Sequence, residues 1–477
     1  MSTRYKGSLL SSTAATSSST AAGGIWRQSE VAQLVTAAWP SNDPSWSSVA
    51  MLLHGDGTGG TQNNTFIDSS GNNFTVTRIG ATTQGSVNPF GSTAPYETTV
   101  EGGSGYFNGT SDLLSLSQAT AFSLGTGDFT LEAWVYPTAN PVSFYGIIDA
   151  RPTPQPVLWA AGLRLISGNL KIEFFNGTQI DGSITVPLNT WTHVAFSRSG
   201  TTLKGFVNGV TDINTTMSTN LNTTGTQYIG GINDPTYNTG YLSNVRLVKG
   251  TALYTANFTP PTAPLTAVSG TSLLLNFNNA KVIDNSMKNN LVTAGSAQIS
   301  NAYKYGTGAI YFNGTNSYLL SGNTTTGAFG ANNFTIEFWL LVNALPSVSA
   351  QLYDTRPAST NGVYTLIYLS SNGTIRLYVS SADRITSTAI STGTWYHVAV
   401  CKSSGSTRMF INGVQSGSTY TDANTYISSS SFIGASYSGG PTISNFLNGF
   451  IDDFRITKGV ARYTTTFTPP QQAFPDQ

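Results

Sequence analysis

The sequence predicts an all-β protein: two tandem antiparallel β-sandwich domains of jelly-roll type, preceded by an extended N-terminal arm with a short helix. Three observations carry this. The composition favours short strands and tight turns, ordered blocks of residues recur about 205 positions downstream, and Asn-Gly pairs punctuate runs with a period of two.

The 477 residues include 49 Gly, 22 Tyr and 24 Phe but only 9% charged residues, which suits strands and turns better than helices with salt-bridged faces. Lys+Arg and Asp+Glu both number 22, and the resulting net charge of zero leaves no long-range field to draw the chain to nucleic acid or an anionic membrane. No run approaches the ~18 apolar residues of a membrane span, and the start Met1-Ser-Thr-Arg-Tyr-Lys-Gly lacks the apolar core of a signal peptide. Cys401 is the sole cysteine, which excludes an intrachain disulfide and a cysteine metal cluster and suits folding in a reducing cytoplasm.

Internal similarity organises the chain. Phe129-Thr-Leu-Glu-Ala-Trp134 matches Phe334-Thr-Ile-Glu-Phe-Trp339, and Asp149-Ala-Arg-Pro152 matches Asp354-Thr-Arg-Pro357. Further on, Asn189-Thr-Trp-Thr-His-Val-Ala195 parallels Gly393-Thr-Trp-Tyr-His-Val-Ala399, and Phe206-Val-Asn-Gly-Val210 parallels Phe410-Ile-Asn-Gly-Val414. The ends agree too, from Val245-Arg-Leu-Val-Lys-Gly250 to Phe258-Thr-Pro-Pro261 and from Phe454-Arg-Ile-Thr-Lys-Gly459 to Phe467-Thr-Pro-Pro470. The starts match more loosely: Val49-Ala-Met-Leu-Leu53 with Asp68, and Ser272-Leu-Leu-Leu275 with Asp284. The expected division is an arm at 1–47, a first module at 48–266 and a second at 270–473.

Within a block the period is two. Phe129, Leu131, Ala133 and Val135 share one side of a strand, with Thr130, Glu132, Trp134 and Tyr136 on the other. The strand from Trp191 to Phe196 carries bulk on both faces, which places it inside a sheet. Asn108-Gly109, Asn208-Gly209, Asn313-Gly314 and Asn412-Gly413 signal type I′ hairpins, hence antiparallel pairing. So many short strands per module require two stacked sheets.

In the arm, residues 8–24 are almost all Ser, Thr, Ala and Gly and cannot bury enough surface to fold alone. Ser29 then caps a short amphipathic helix carrying Val31, Leu34 and Val35; with Trp26 these are the expected anchoring residues.

The order Phe-Asn-Gly-Thr, Phe-Thr-Leu/Ile-Glu-x-Trp, Trp-x-His-Val-Ala and Asn-Gly-Val resembles the concanavalin A-like, laminin G-type jelly-roll modules, over both modules. The tail Phe454-Arg-Ile-Thr-Lys-Gly-Val-Ala-Arg-Tyr-Thr464 with Phe467-Thr-Pro-Pro470 resembles the version of this module found in phage and marine viral structural proteins. Because the fold also includes glucanases, Glu132 and Glu337 are weighed as catalytic acids. Retaining glycosidases need two carboxyls ~5–5.5 Å apart, whereas each strand here supplies one glutamate and the ExDxxE arrangement of those glucanases is missing; a buried or edge glutamate satisfied by backbone or Arg is expected.

Other motifs lead away from catalysis. Gly55-Asp-Gly-Thr-Gly-Gly60 fits a dinucleotide fingerprint but precedes no helix and reads as a loop. His193 and His397 recur with their strands and read as core histidines, Cys401 as an inert thiol in an apolar strand, and Asp149-x-Arg151 and Asp354-x-Arg356 as internal ion pairs. No cofactor is expected; the resemblance leaves calcium as the one candidate, with Asp68 and Asp284 as its ligands, although each loop offers a single acid where calcium takes six to eight oxygens. For glycan contact the candidates are Tyr237, Asn238 and Tyr241 in the first module and Tyr437, Asn445 and Phe446 in the second, all before the last motif.

Together these readings imply a non-catalytic virion protein, a tail or head fibre or a capsid decoration. Its expected partners are other virion proteins and host surface glycans, with a homo-oligomer, trimeric in a fibre, as its assembly. The alternative is a secreted carbohydrate-binding protein or a glycoside-active enzyme of the same fold.

Overall fold

The computed structural model describes residues 43–475 apart from 55–61, 68–70, 74, 91–101, 118, 142–143, 151–161, 167–169, 223–224, 233–235, 281–290, 357–361, 429 and 438–441; residues 162–166 and 119 are described as backbone only. The candidate anchors Trp26, Val31, Leu34 and Val35, the candidate calcium ligands Asp68 and Asp284, Arg151 and the loop 55–60 lie outside the described residues.

Strand follows strand in antiparallel order, and the described helical elements are a 3-10 turn at Trp46–Ser48 and one α-turn at Ala119–Phe122. In the first module a sheet ordered Val210–Thr216, Thr202–Val207, Thr192–Ser199, Phe129–Pro137, Thr239–Lys249, Ser104–Asn108 and Thr83–Gly85 stacks on a seven-stranded sheet running from Gln179–Thr185 to Thr77–Ile79. In the second module the same order recurs through Ser406–Ile411, Trp395–Ser403, Phe334–Val342, Asn448–Lys458 and Ala309–Asn313, facing the sheet Leu291–Ala294, Tyr318–Ser321, Ser431–Ile433, Ser349–Asp354, Leu366–Ser370, Thr374–Val379 and Ala382–Ala389.

The predicted alternation decides what fills the core. Phe129, Leu131, Ala133 and Val135 face one apolar cluster, and Phe334, Ile336, Phe338 and Leu340 face its counterpart in the second module. Asn208-Gly209 and Asn412-Gly413 make the expected turns, all four residues having positive φ. Asn108 and Asn313 do something else. Each ends a strand of one sheet before the chain crosses to the other, and its side-chain oxygen accepts three successive backbone N–H groups, so only the following Gly109 or Gly314 is left-handed.

The strands Val49–Leu53 and Thr271–Leu275 cross the expected module boundaries in opposite directions. Val49–Leu53 pairs with the last strand, Met51 opposite Ile456 and Leu53 opposite Phe454, and so completes the second module. Thr271–Leu275 pairs with Thr239–Lys249, Leu275 opposite Val245, and completes the first. The buried side chains follow: Ala50, Met51 and Leu53 join the second module's core, Leu273 and Leu275 the first's.

Each receiving strand is split at a bulge whose left-handed residue is Asn244 (φ 50°) or Asp453 (φ 49°), residue types that tolerate this conformation. Before it the first module has Ser243, whereas the second has Asp452. Burial, reinforced by Asp453 next door, pushes the Asp452 carboxyl up to about 8; Asp452 accepts from the backbone N–H groups of Lys304, Tyr305 and Asp453. Between the unfolded value of about 4 and the folded value of about 8 only the folded chain keeps this proton, so stability falls as pH rises through that window and levels off above it. Asp452→Ser is therefore expected to flatten this fall, by up to about 1.4 kcal/mol per pH unit, in urea unfolding curves taken across the window.

Candidate functional site

The outer face of the larger sheet is closed in both modules. After its last strand the chain folds back over that face, so that Tyr254 stacks on Phe258 (ring centroids 3.7 Å apart) and Tyr463 on Phe467 (3.6 Å). Phe258 N–H donates to Gly209 O and Phe467 N–H to Gly413 O, contacts so close that a Cβ on either glycine would collide with the phenylalanine carbonyl. The tail motif Phe-Thr-Pro-Pro thus has a structural duty, which is to seal a polar nest.

In the first module's nest, Glu132 lies between Arg246 (Nη2 to Oε1 2.6 Å), His193 (Nε2 to Oε2 3.1 Å) and the Tyr254 hydroxyl, which donates at 2.8 Å. In the second, Glu337 accepts from Arg455 at 2.8 Å and from the Tyr463 hydroxyl at 2.9 Å, with His397 Nε2 at 3.4 Å. Burial pushes both carboxyls up. It is outweighed by the His193 hydrogen bond with the charges of His193 and Arg246 in one case, and by Arg455 and His397 in the other, so both end below the ordinary carboxylate range. Each is wholly buried and fully engaged, as expected for a satisfied structural glutamate. Cys401 is likewise buried, and burial pushes its thiol up to about 12.

The outer face of the smaller sheet in the second module is open. There the strands Ser349–Asp354, Leu366–Ser370 and Thr374–Val379 point alternate residues outward into a groove of about 480 Å³ lined by Gln351, Arg356, Tyr364, Tyr368, Arg376 and Tyr378. The three tyrosines are half-buried. Arg376 Nη1 donates to Asp383 at 2.7 Å, and the Tyr368 hydroxyl donates to the same carboxylate at 2.8 Å. The Arg356 guanidinium lies 5.1 Å from the Tyr364 ring centroid and 3.8 Å from Asp354. Burial pushes the Asp354 carboxyl up to about 6 against the pull of Arg356.

At the floor, Gln351 is only 5% exposed, and among the described residues its Oε1 has no hydrogen-bond partner; neither has Arg356 Nε. A buried acceptor left open costs about 1–3 kcal/mol. Tyrosine faces, two guanidinium groups and an open amide in a concave site suit a ligand with a ring to stack and hydroxyls to donate and accept.

The expected glycan residues fall into two groups. In the first module, Asn238 is buried with its amide donating to Gly146 O at 2.5 Å, Tyr241 packs among Tyr106, Tyr136 and Trp191, and Tyr237 sits half-buried in a two-residue strand. In the second, the half-buried Tyr437 packs on Phe432, and Phe446 lies against Tyr318. Asn445 O accepts from Gln351 N–H at 2.9 Å, and the Tyr437 N–H donates to Asp354, so this loop borders the groove.

The groove's own lining escaped sequence reasoning, although comparing the repeats at outward positions exposes it. The cross-strand pair Tyr368 and Arg376 replaces Arg164 and Glu173 of the first module, and Tyr378 replaces Phe175. Core and nest residues repeat, whereas these do not.

A family model described as the concanavalin A-like lectin/glucanases superfamily matches residues 108–254 and 313–462. Among solved structures, domain 4 of AbnA, a GH43 extracellular arabinanase from Geobacillus stearothermophilus, is similar at 22% identity over 35% of this chain and 77% of its own, with a TM-score of 0.29. Domains LG4-5 of the mouse laminin alpha1 chain are similar at 15% identity over 81% of this chain and 99% of their own, with a TM-score of 0.28. A SAP-like pentraxin from Limulus polyphemus is 20% identical over 31% of this chain and 74% of its own, at a TM-score of 0.26. No curated protein matches the chain.

Proposed function

The chain belongs to the concanavalin A-like lectin/glucanases superfamily, and on that premise we propose that it is a non-catalytic carbohydrate-binding protein whose second module holds a glycan in the groove of Gln351, Arg356, Tyr364, Tyr368, Arg376 and Tyr378. The observation that carries this is the unpartnered Gln351 Oε1 beneath an open row of tyrosines. Sugar hydroxyls supply the missing donor and ring C–H faces stack on the tyrosines.

Binding rather than hydrolysis is favoured because the acids at hand form no free pair. Glu132 and Glu337 are locked in nests and Asp383 is held by Arg376 and Tyr368, which leaves Asp354, 3.8 Å from Arg356 and with no hydrogen bond to its Oδ2 among the described residues, without a second carboxylate to work with. A glycan array followed by calorimetry tests the reading. Tyr368→Ala and Gln351→Ala are each expected to weaken binding about 10–100-fold, the equivalent of roughly 1.5–3 kcal/mol, with unfolding of the first module unchanged. Full affinity in both variants would remove the groove from consideration.

The setting we propose is a virion, as a tail or head fibre or capsid decoration that meets host surface glycans. The tail resemblance and the low-complexity arm favour it over a secreted protein. Because Asp43 and Val49–Leu53 are built into the second module, the anchor is assigned to residues 1–41. A chain without 1–41 is expected to fold normally yet fail to join particles, as read by mass spectrometry of purified virions; incorporation at the usual copy number would sink this setting.

A further inference from the structure

The two strands that complete the modules are alike in their apolar residues but docked by different chemistry. Beside Thr271–Leu275, which reaches the first module from just downstream, Asn276 donates to Asn244 Oδ1 at 2.8 Å and Arg246 donates to the carbonyl of Thr266 at 2.8 Å. No acid takes part in either bond. Beside Val49–Leu53, which comes from the opposite end of the chain, the equivalent of Asn276 is His54 and its partner is Asp453. In place of the Thr266 carbonyl stands the carboxylate of Asp43, which accepts from Arg455 at 3.1 Å and from Arg462 at 2.9 Å.

The segment Asp43–His54 therefore carries a hydrogen-bonding key at each end of an apolar strand, a carboxylate at one and an imidazole at the other, and the second module carries both locks. The first module offers the same strand a poorer site: Asn244 stands where Asp453 would be, and of the two arginines that hold Asp43 it keeps Arg246 but has Leu253 in place of Arg462. Ion pairs of this kind contribute little net stability when buried, but they discriminate strongly between alternative partners. Such a key is informative only where a choice of acceptor exists, and every other copy of the chain presents the same lock.

We propose that Asp43–His54 is an exchangeable docking strand whose second partner is another copy of this chain, each copy's first strand completing the other's second module. The contacts are identical in the closed and exchanged forms, so the balance is set by protein concentration against the effective concentration within one chain. Crowding of copies in an assembly favours exchange. The inference is independent of the glycan groove, whose residues lie on the other sheet.

A charge exchange tests it. His54→Asp places two acids face to face, and Asp453→His places two histidines, so each single variant is expected to unfold its second module earlier than the unaltered protein. Mixed in equal amounts at high concentration, the two restore both pairs only between chains, and light scattering is expected to show a species of twice the 50.4 kDa chain mass with the lost stability regained. The double variant restores the pair within one chain and serves as control. If it recovers stability while the mixture stays at the mass of one chain, exchange between copies is refuted. If it does not recover, heavy-isotope and unlabelled unaltered chains incubated together in mild urea and returned to buffer decide: native mass spectrometry showing mixed dimers upholds the proposal, and monomers alone overturn it.

Discussion

Leu53→Ala is expected to lower the stability of the second module by about 2–5 kcal/mol while leaving the first unaffected. Leu53 is fully buried among second-module side chains, opposite Phe454, although Leu291, the next residue of that core, lies 238 positions further along the chain. Leu275→Ala is expected to do the reverse, because Leu275 lies in the first module's core opposite Val245. Hydrogen exchange followed peptide by peptide separates the two modules. Faster exchange across 129–249 in the Leu53 variant, with 334–458 unchanged, would contradict the strand arrangement.

Arg455→Met is expected to be the more damaging kind of change, costing about 3–5 kcal/mol. It strips Glu337 of its closest cation and takes one of two arginines from Asp43, and both carboxylates are buried. Removing the acid as well, in Glu337→Gln with Arg455→Met, is expected to recover part of the loss, since the penalty comes from the uncompensated charge. The linkage has a definite sign. Glu337 is held below its unfolded value, so its contribution is present above about pH 4.3 and is lost as acid carries the pH down through the folded value. Equilibrium unfolding between neutral and acidic pH should show that slope in the parent and a weaker one in the double variant. An Arg455→Met protein as stable as the parent would mean that the nest is not held by this pair.

Several residues are legible in the sequence alone. Glu132, Glu337, His193 and His397 recur with their strands, and recurrence of a whole block marks packing, so a structural role follows from the repeat, whereas the nests that join each glutamate to its histidine are seen only in the structure. The core faces of Phe129–Pro137 and Phe334–Val342 follow from alternation, and the turns at Asn208 and Asn412 from the left-handed tolerance of Asn-Gly. The groove was less legible because Tyr368, Arg376 and Tyr378 look like ordinary outward residues of a strand; only their difference from Arg164, Glu173 and Phe175 marks them.

The sequence by itself determined the all-β class, the duplication and the identity of the inward residues, since these depend on local periodicity and turn chemistry. Only the tertiary structure decided that Val49–Leu53 serves the far module, that the Phe-Thr-Pro-Pro tails cover one sheet face, and that the opposite face of the second module stays open. The physical reason is that an apolar strand of five residues fits either of two nearly identical sheet edges. Its choice rests on side chains such as His54 and Asp453, which meet across 399 residues of chain and leave no local trace.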